Sequence, residues 1–179
     1  MRSYDYAHRQ GIEEIPWQRF AALSAQLTEE LAKAKVEAVV GIARAGLFPA
    51  TLVTCGLRCE FYPVRVTRRV NDRVVHDRPL WKTDVSPEVE GKRVAVIDEI
   101  ADTGETLALV AGRVRALGAA HVVTACLISH SWADPLPDVV GMVTDALVLF
   151  PWDRQVYADG QWQVHPELAE AIAMQESHT

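Results

Sequence analysis

Two acids stand side by side, Asp98 and Glu99, at the end of the apolar run Val94-Ala95-Val96-Ile97, and a third, Asp102, opens the turn Asp102-Thr103-Gly104-Glu105-Thr106. Carboxylates so placed suit a ligand that carries hydroxyls, magnesium or both. The turn runs into a helical pattern from Glu105 to Leu117 that Gly118 stops. At a helix start four backbone N–H groups lack internal partners, and the helix dipole favours an anion there. Thr103 and Thr106 add hydroxyl donors, while Gly104 lets the backbone approach a phosphate closely. The segment reads as a phosphate cradle flanked by carboxylates. The alternative, a plain helix cap with its acids in solvent, leaves the acid pair at the end of a buried strand without a reason. Neither a Walker loop nor the G-x-G-x-x-G fingerprint is present.

A second turn of the same kind is Gly41-Ile42-Ala43-Arg44-Ala45-Gly46, again after an apolar run and before a helical pattern. Arg44 offers a fork of donors for phosphate oxygens, and Ala43 and Ala45 are small enough for the backbone to approach an anion. A structural turn with a surface arginine is the plainer alternative for this stretch taken alone.

The elements that must position these turns are legible in outline. Trp17, Phe20, Leu23, Leu27 and Leu31 recur every three or four residues behind Pro16, which predicts an amphipathic helix over 17–32. Apolar runs at 38–42, 61–66, 94–98, 121–128 and 146–150 predict strands, with a helix from Leu47 to Leu57 and another from Glu105. The expected fold is α/β: a parallel five-stranded sheet with helices on both faces, a small hood and a flexible flap. One domain over 1–179 is expected, with the flap within 67–90, the hood or tail over roughly 130–179, and a last helix from Pro166. A ligand site in such a sheet belongs outside the carboxyl ends of the strands.

With both turns placed, Val94 to Thr106 (VAVIDEIADTGET) resembles the thirteen-residue signature of the type I phosphoribosyltransferases, enzymes that bind 5-phosphoribosyl-1-pyrophosphate. The family more often has two aspartates where this chain has Asp98-Glu99. The resemblance implies that Asp98 and Glu99 hold the ribose hydroxyls, that Asp102, Thr103, Gly104, Glu105 and Thr106 hold the 5-phosphate, and that Ala43, Arg44, Ala45 and Gly46 hold pyrophosphate. It implies a flap at roughly 67–84 containing Arg68, Arg69, Arg73, His76, Asp77, Arg78, Lys82 and Asp84, with Lys82 and Arg78 the leading ligand contacts.

Within that family the chain is most similar to the 6-oxopurine enzymes, on the Ala43-Arg44-Ala45-Gly46 turn, on Asp102 and on Phe150-Pro151-Trp152-Asp153. That similarity implies transfer of a phosphoribosyl group to hypoxanthine, guanine or xanthine, with Mg²⁺ as cofactor. Asp102 would handle the base proton, with Arg44 as the second catalytic residue. Leu147, Val148 and Trp152 would line the base pocket, and Asp153 would bind the base or join Asp98 and Glu99 at the metal. His130 stands where the family usually has a lysine that reads the purine 6-oxygen, and Leu147 lies near the family's usual stacking aromatic. Trp132 is positioned either to replace that aromatic or to cover the sheet edge. A regulatory protein that binds the donor without turnover, or an enzyme for a pyrimidine or other acceptor, stays open. The family also implies a homodimer or homotetramer, for which Trp17 and Trp162 are candidate interface residues.

Composition bounds the rest. The 179 residues are 49% hydrophobic and 23% charged with five tryptophans, as a packed globule requires. Cys55, Cys59 and Cys126 are an odd number without zinc-ligand grouping and are expected as buried thiols. No run approaches a membrane span and the first residues lack a signal peptide's apolar centre, so a cytoplasmic protein without a membrane partner is expected. The net charge of −6 counts against nucleic acid as a partner. Charge is nevertheless uneven: Arg58 to Lys82 holds seven basic and three acidic residues, where the family places its flap over an anionic substrate.

Overall fold

The computed structural model describes residues 9, 11–67, 69–70, 73–74, 79–165, 168–169 and 173. In chain order the elements are β1 (Ile12–Glu14), α1 (Trp17–Lys33), β2 (Ala38–Ala43), α2 (Leu47–Leu57), β3 (Glu60–Thr67), β4 (Arg69–Val70), β5 (Arg73–Val74), β6 (Leu80–Thr83), a 3-10 turn (Pro87–Val89), β7 (Arg93–Ala101), α3 (Glu105–Ala116), β8 (His121–Ser129), β9 (Val139–Val143), β10 (Leu147–Leu149), β11 (Gln155–Ala158) and β12 (Gln161–Val164). The chain divides into two compact units, Ala22–Val143 and a smaller one of Met1–Ala21 with Thr144–Thr179. Among the described residues no helix is long and apolar enough to cross a membrane.

The larger unit is built on a six-stranded sheet in the order β6-β3-β2-β7-β8-β9. Five strands are parallel, as the sequence predicts, and β6 adds an antiparallel edge. Strands β2 and β8 are buried almost throughout, which is why their sequences run apolar instead of alternating. Val40, Ile42, Val64, Val94, Val96 and Cys126 from the sheet pack with Leu107, Val110 and Val114 of α3 in one core. On α1, Leu23, Leu27 and Leu31 are buried at spacing four, which accounts for the apolar stripe read in the sequence.

The fifth parallel strand is not the one expected. Residues 146–150 were the expected candidate, yet β9 at Val139–Val143 occupies the edge beside β8, while Leu147–Leu149 pairs in parallel with Ile12–Glu14 in the smaller unit. Both stretches are short apolar runs, Val-Val-Gly-Met-Val and Leu-Val-Leu, so apolarity does not tell which of them adds to the sheet, and β9 is only half covered there. Gly141 is needed in it because a Cβ there would lie 2.7 Å from the Leu127 carbonyl oxygen. Asp138 sets the register by accepting from the backbone N–H and the hydroxyl of Thr124, both at 2.8 Å.

The smaller unit holds the β1–β10 pair and an antiparallel β11–β12 hairpin. Asp159 and Gly160 both have positive φ, 52° and 80°, the two-residue turn that suits the right-handed strand twist. An Asp-Gly pair between alternating residues is a hairpin signal in the sequence. Phe150 stacks on Trp152 at 4.8 Å, and Phe20 meets Trp152 edge-on at 5.2 Å. Trp17 and Trp162 stand 53% and 66% exposed. The expected C-terminal helix from Pro166 lies largely outside the described residues.

Candidate active site

All five parallel strands of the larger unit end on the same edge of the sheet, and three loops meet there. The first follows β2. A cis peptide joins Ala43 to Arg44, Arg44 is exposed, and the turn closes by Leu47 N–H donating to the Arg44 carbonyl at 3.2 Å. Gly46 ends this turn against Asp98: a Cβ at position 46 would stand 2.6 Å from the Asp98 Oδ1 and 2.5 Å from the Ile42 carbonyl oxygen. The loop backbone can therefore lie on the acid only because residue 46 has no side chain.

The second loop continues β7. Asp98 and Glu99 are both half-buried at its end, followed by half-buried Asp102 and exposed Thr103. Gly104 caps α3 with φ 82°, the left-handed region, and a Cβ there would lie 2.3 Å from the Pro135 carbonyl oxygen. No side chain caps α3. The Thr103 hydroxyl accepts from the Glu105 N–H at 3.4 Å, a long contact, and Thr106 is half-buried one residue on. The structure thus brings Ala43, Arg44, Ala45 and Gly46 to the same edge as Asp98, Glu99 and residues 102–106.

Burial, the negative charge of Glu99 and a hydrogen bond between the two side chains push the Asp98 carboxyl well above the ordinary range. Asp98 thus holds its proton more tightly in the folded protein than in the unfolded chain. Its stabilising contribution is present at or below the ordinary carboxylate range and is lost as pH rises through the raised folded value. Asp98→Asn keeps the shape and removes that loss. We expect its thermal midpoint to exceed the wild-type value at pH 8 by at least about 2 °C, and the excess to shrink at pH 4. Thermal melts at the two pH values check this.

Cys126 lies directly opposite Asp98 in the β7–β8 pairing and is fully buried. Its thiol is pushed up to about 12, chiefly by burial and then by the Asp98 charge. The expectation of three buried thiols fails for the other two: Cys55 is exposed on α2 and Cys59 is half-buried with its thiol raised by burial. Helix α2 is apolar on every side, so its sequence gave no sign of which face would be wet. A thiol-disulfide reagent at pH 8 should label Cys55 quickly, Cys59 more slowly and Cys126 only after unfolding. Mass spectrometry of the labelled peptides reads the order.

The third loop follows β8. His130 is fully buried and its ring stacks on Trp132, centroids 4.5 Å apart and 18° from parallel. The Trp132 indole N–H donates to Asp102 Oδ1 at 3.3 Å, and His130 Nε2 stands 3.9 Å from the same oxygen. Asp134 N–H donates to the Thr103 carbonyl at 3.0 Å, and a cis peptide joins Asp134 to Pro135. The sequence placed His130 and Trp132 near the site, but nothing local in it tied Trp132 to Asp102, thirty residues away.

Among its described residues the flap region is antiparallel β structure: β4 pairs with β5, and β6 pairs with β3. Register steps from Arg65 opposite Thr83 to Val66 opposite Trp81, so Lys82 is the extra residue of a bulge and is exposed. Trp81 packs against the core. Just past β6, both Asp84 oxygens accept from Arg113 of α3, at 2.9 and 2.5 Å, and that guanidinium holds the Asp84 carboxyl below its usual range. Arg68, His76, Asp77 and Arg78, and the side chains of Arg69 and Arg73, lie outside the described residues. In the smaller unit Leu147 is buried, while Val148, Trp152 and Asp153 are half-buried.

Residues 12–156 match the family described as the phosphoribosyl transferase domain. Among solved structures, the chain is similar to a purine phosphoribosyltransferase from Pyrococcus horikoshii, with 26% identity, a TM-score of 0.72, and coverage of 83% of this chain and 98% of that one. It is also similar in fold to a hypothetical protein from Neisseria gonorrhoeae with bound ppGpp, at 19% identity and TM-score 0.65 over 96% of this chain and 99% of that one. A third is the xanthine-guanine-hypoxanthine phosphoribosyltransferase of Helicobacter pylori, at 16% identity and TM-score 0.61 over 90% and 99%. With the family match spanning four-fifths of its length and two strand-turn-helix segments meeting at an acid pair, the chain belongs to the type I phosphoribosyltransferases.

Proposed function

We propose that this phosphoribosyltransferase moves the phosphoribosyl group of 5-phosphoribosyl-1-pyrophosphate onto a 6-oxopurine base and releases pyrophosphate. The observation that carries the reading is the seating of the 43–46 turn on Asp98 through Gly46, which puts two backbone cradles around one acid pair. A ligand with a phosphate at one end and a pyrophosphate at the other of a hydroxylated ring fits two cradles with carboxylates between them. The sequence similarity of the Pyrococcus purine enzyme favours a purine acceptor.

In the reaction the bond from ribose C1 to pyrophosphate breaks, the bond from C1 to a base nitrogen forms, and the base proton passes to Asp102. Asp98 and Glu99 orient the ribose hydroxyls, residues 102–106 grip the 5-phosphate, and Arg44 takes pyrophosphate charge. Lys82 and Arg78 are assigned to the leaving pyrophosphate on the family resemblance alone. Positioning and charge stabilisation supply most of the rate, with no covalent protein intermediate. The acid pair suits magnesium: Asp98 and Glu99 would offer it hard carboxylate oxygens at the end of β7, and an ion this small takes its other ligands from water and substrate. When bound, magnesium neutralises the leaving pyrophosphate. Leu147, Val148 and Trp152 are assigned to the base, and Asp153 to base or metal, on their motif alone.

A second reading keeps the donor site with a different acceptor or none. It is favoured by His130, which stands at the family's base-reading position yet is buried beneath Trp132. A panel of bases separates the two. The protein, donor and magnesium are incubated with hypoxanthine, guanine, xanthine, adenine, uracil or orotate, and nucleotide and pyrophosphate are measured. Turnover with hypoxanthine, guanine or xanthine is the expected result. Turnover only with another base moves the assignment to that acceptor, and donor binding without turnover replaces the enzyme reading with a binding one.

A further inference from the structure

The loop after β8 lies against the residue to which the proton is assigned, and its contacts are specific. Trp132 reaches Asp102 Oδ1 with its indole N–H at 3.3 Å. Indole is a donor only and does not titrate, so it can serve a carboxylate oxygen and never compete for its proton. Trp132 is 42% exposed, and its ring lies on the His130 imidazole. That imidazole is wholly buried, so it backs the indole as a fixed plate.

The loop itself is tied down on both sides of Trp132. Ala133 N–H donates to the His130 carbonyl at 3.2 Å, and Asp134 N–H donates to the Thr103 carbonyl at 3.0 Å. His130 N–H donates to the Ala101 carbonyl at 3.1 Å. The backbone on either side of Asp102 therefore holds the same loop that carries the indole.

We propose that Trp132 is the positioning residue for Asp102: its indole N–H holds one carboxylate oxygen and so aims the other at the nucleobase, with His130 as the plate that keeps the indole in place. This rests on the reading of Asp102 as the proton acceptor. It also assigns His130 a supporting role in place of direct contact with the base. A carboxylate that can rotate about its last bond spends only part of its time aligned with the proton it must take, so a fixed donor raises kcat without adding to donor affinity.

The test is Trp132→Phe, which keeps an aromatic ring on His130 and removes the N–H, combined with Asp102→Asn in a double-mutant cycle. Kinetics are run with the 6-oxopurine base that turns over fastest in the wild-type enzyme. Trp132→Phe should lower kcat about ten-fold, the scale of a hydrogen bond to a charged group, with the KM for 5-phosphoribosyl-1-pyrophosphate and the thermal midpoint unchanged. In the Asp102→Asn background the same change should have no further effect on kcat. A Trp132→Phe enzyme with wild-type kcat, or one whose loss is as large without the Asp102 carboxylate as with it, overturns the proposal. A loss shared between kcat, donor KM and thermal midpoint also overturns it, since a purely structural tryptophan would act that way. If Asp102→Asn alone leaves kcat intact, or no 6-oxopurine is turned over, the assigned role of Asp102 fails and the proposal falls with it.

Discussion

Asp102→Asn should lower kcat by about a hundred-fold or more while changing the affinity for 5-phosphoribosyl-1-pyrophosphate by less than about three-fold, the signature of a lost proton acceptor. The substitution is nearly isosteric, and an amide oxygen can still accept the Trp132 indole N–H that the structure gives to Oδ1. The half-buried turn around residue 102 should therefore keep its shape. What is removed is an oxygen able to carry a proton. Initial rates with saturating donor, alongside calorimetric titration of the donor, separate the two quantities. Equal loss of turnover and donor affinity would mean that Asp102 only shapes the turn.

The second large effect is expected at Gly46. Its φ and ψ, −59° and −16°, are open to any residue, so backbone conformation is no obstacle. The obstacle is contact. A methyl group would lie 2.5 Å from the Ile42 carbonyl oxygen and 2.9 Å from the Asp98 Cα, and backbone atoms cannot swing away as the end of a side chain could. Gly46→Ala must lift the 43–46 turn off the acid. We expect donor affinity to fall at least ten-fold, with a stability loss of about 1–3 kcal/mol from overpacking. Gly112→Ala is the matched control, because nothing lies within 4 Å of a Cβ there and the residue sits inside α3. That change should leave donor binding alone and gain up to about 1 kcal/mol from helix propensity. Donor titration and denaturant melts of both variants decide the matter. Unchanged donor affinity in Gly46→Ala would remove this turn from the donor site.

The two strand-turn-helix segments were legible because every part of each is local. Val94 to Ile97 is apolar enough to be buried, the acids follow at once, and a glycine marks where the backbone must turn into α3. The same holds for Ala38–Ala43, the 44–46 turn and α2. The edge strand expected at 146–150 is instead Val139–Val143: both runs are apolar, and only the pairing of residues 147–149 with β1 in the smaller unit separates them. Burial of the cysteines was misread for a related reason: α2 is apolar all round, and which of its faces is wet depends on what packs against it.

From the sequence alone came the family, four of the five parallel strands, and the identity of the acids and turns at their carboxyl edge. These depend on short-range patterns that physics reads directly: burial of apolar runs, orphan N–H groups at a helix start, freedom at glycine. Tertiary structure alone decided three further points. The 43–46 turn rests on Asp98, Cys126 faces Asp98 across the β7–β8 pair, and Trp132 reaches back to Asp102 over a buried His130. Each is a contact between residues brought together by the order of strands in the sheet. A chain read residue by residue holds the groups; only the packed sheet sets the distances at which groups from different strands and loops act on one another.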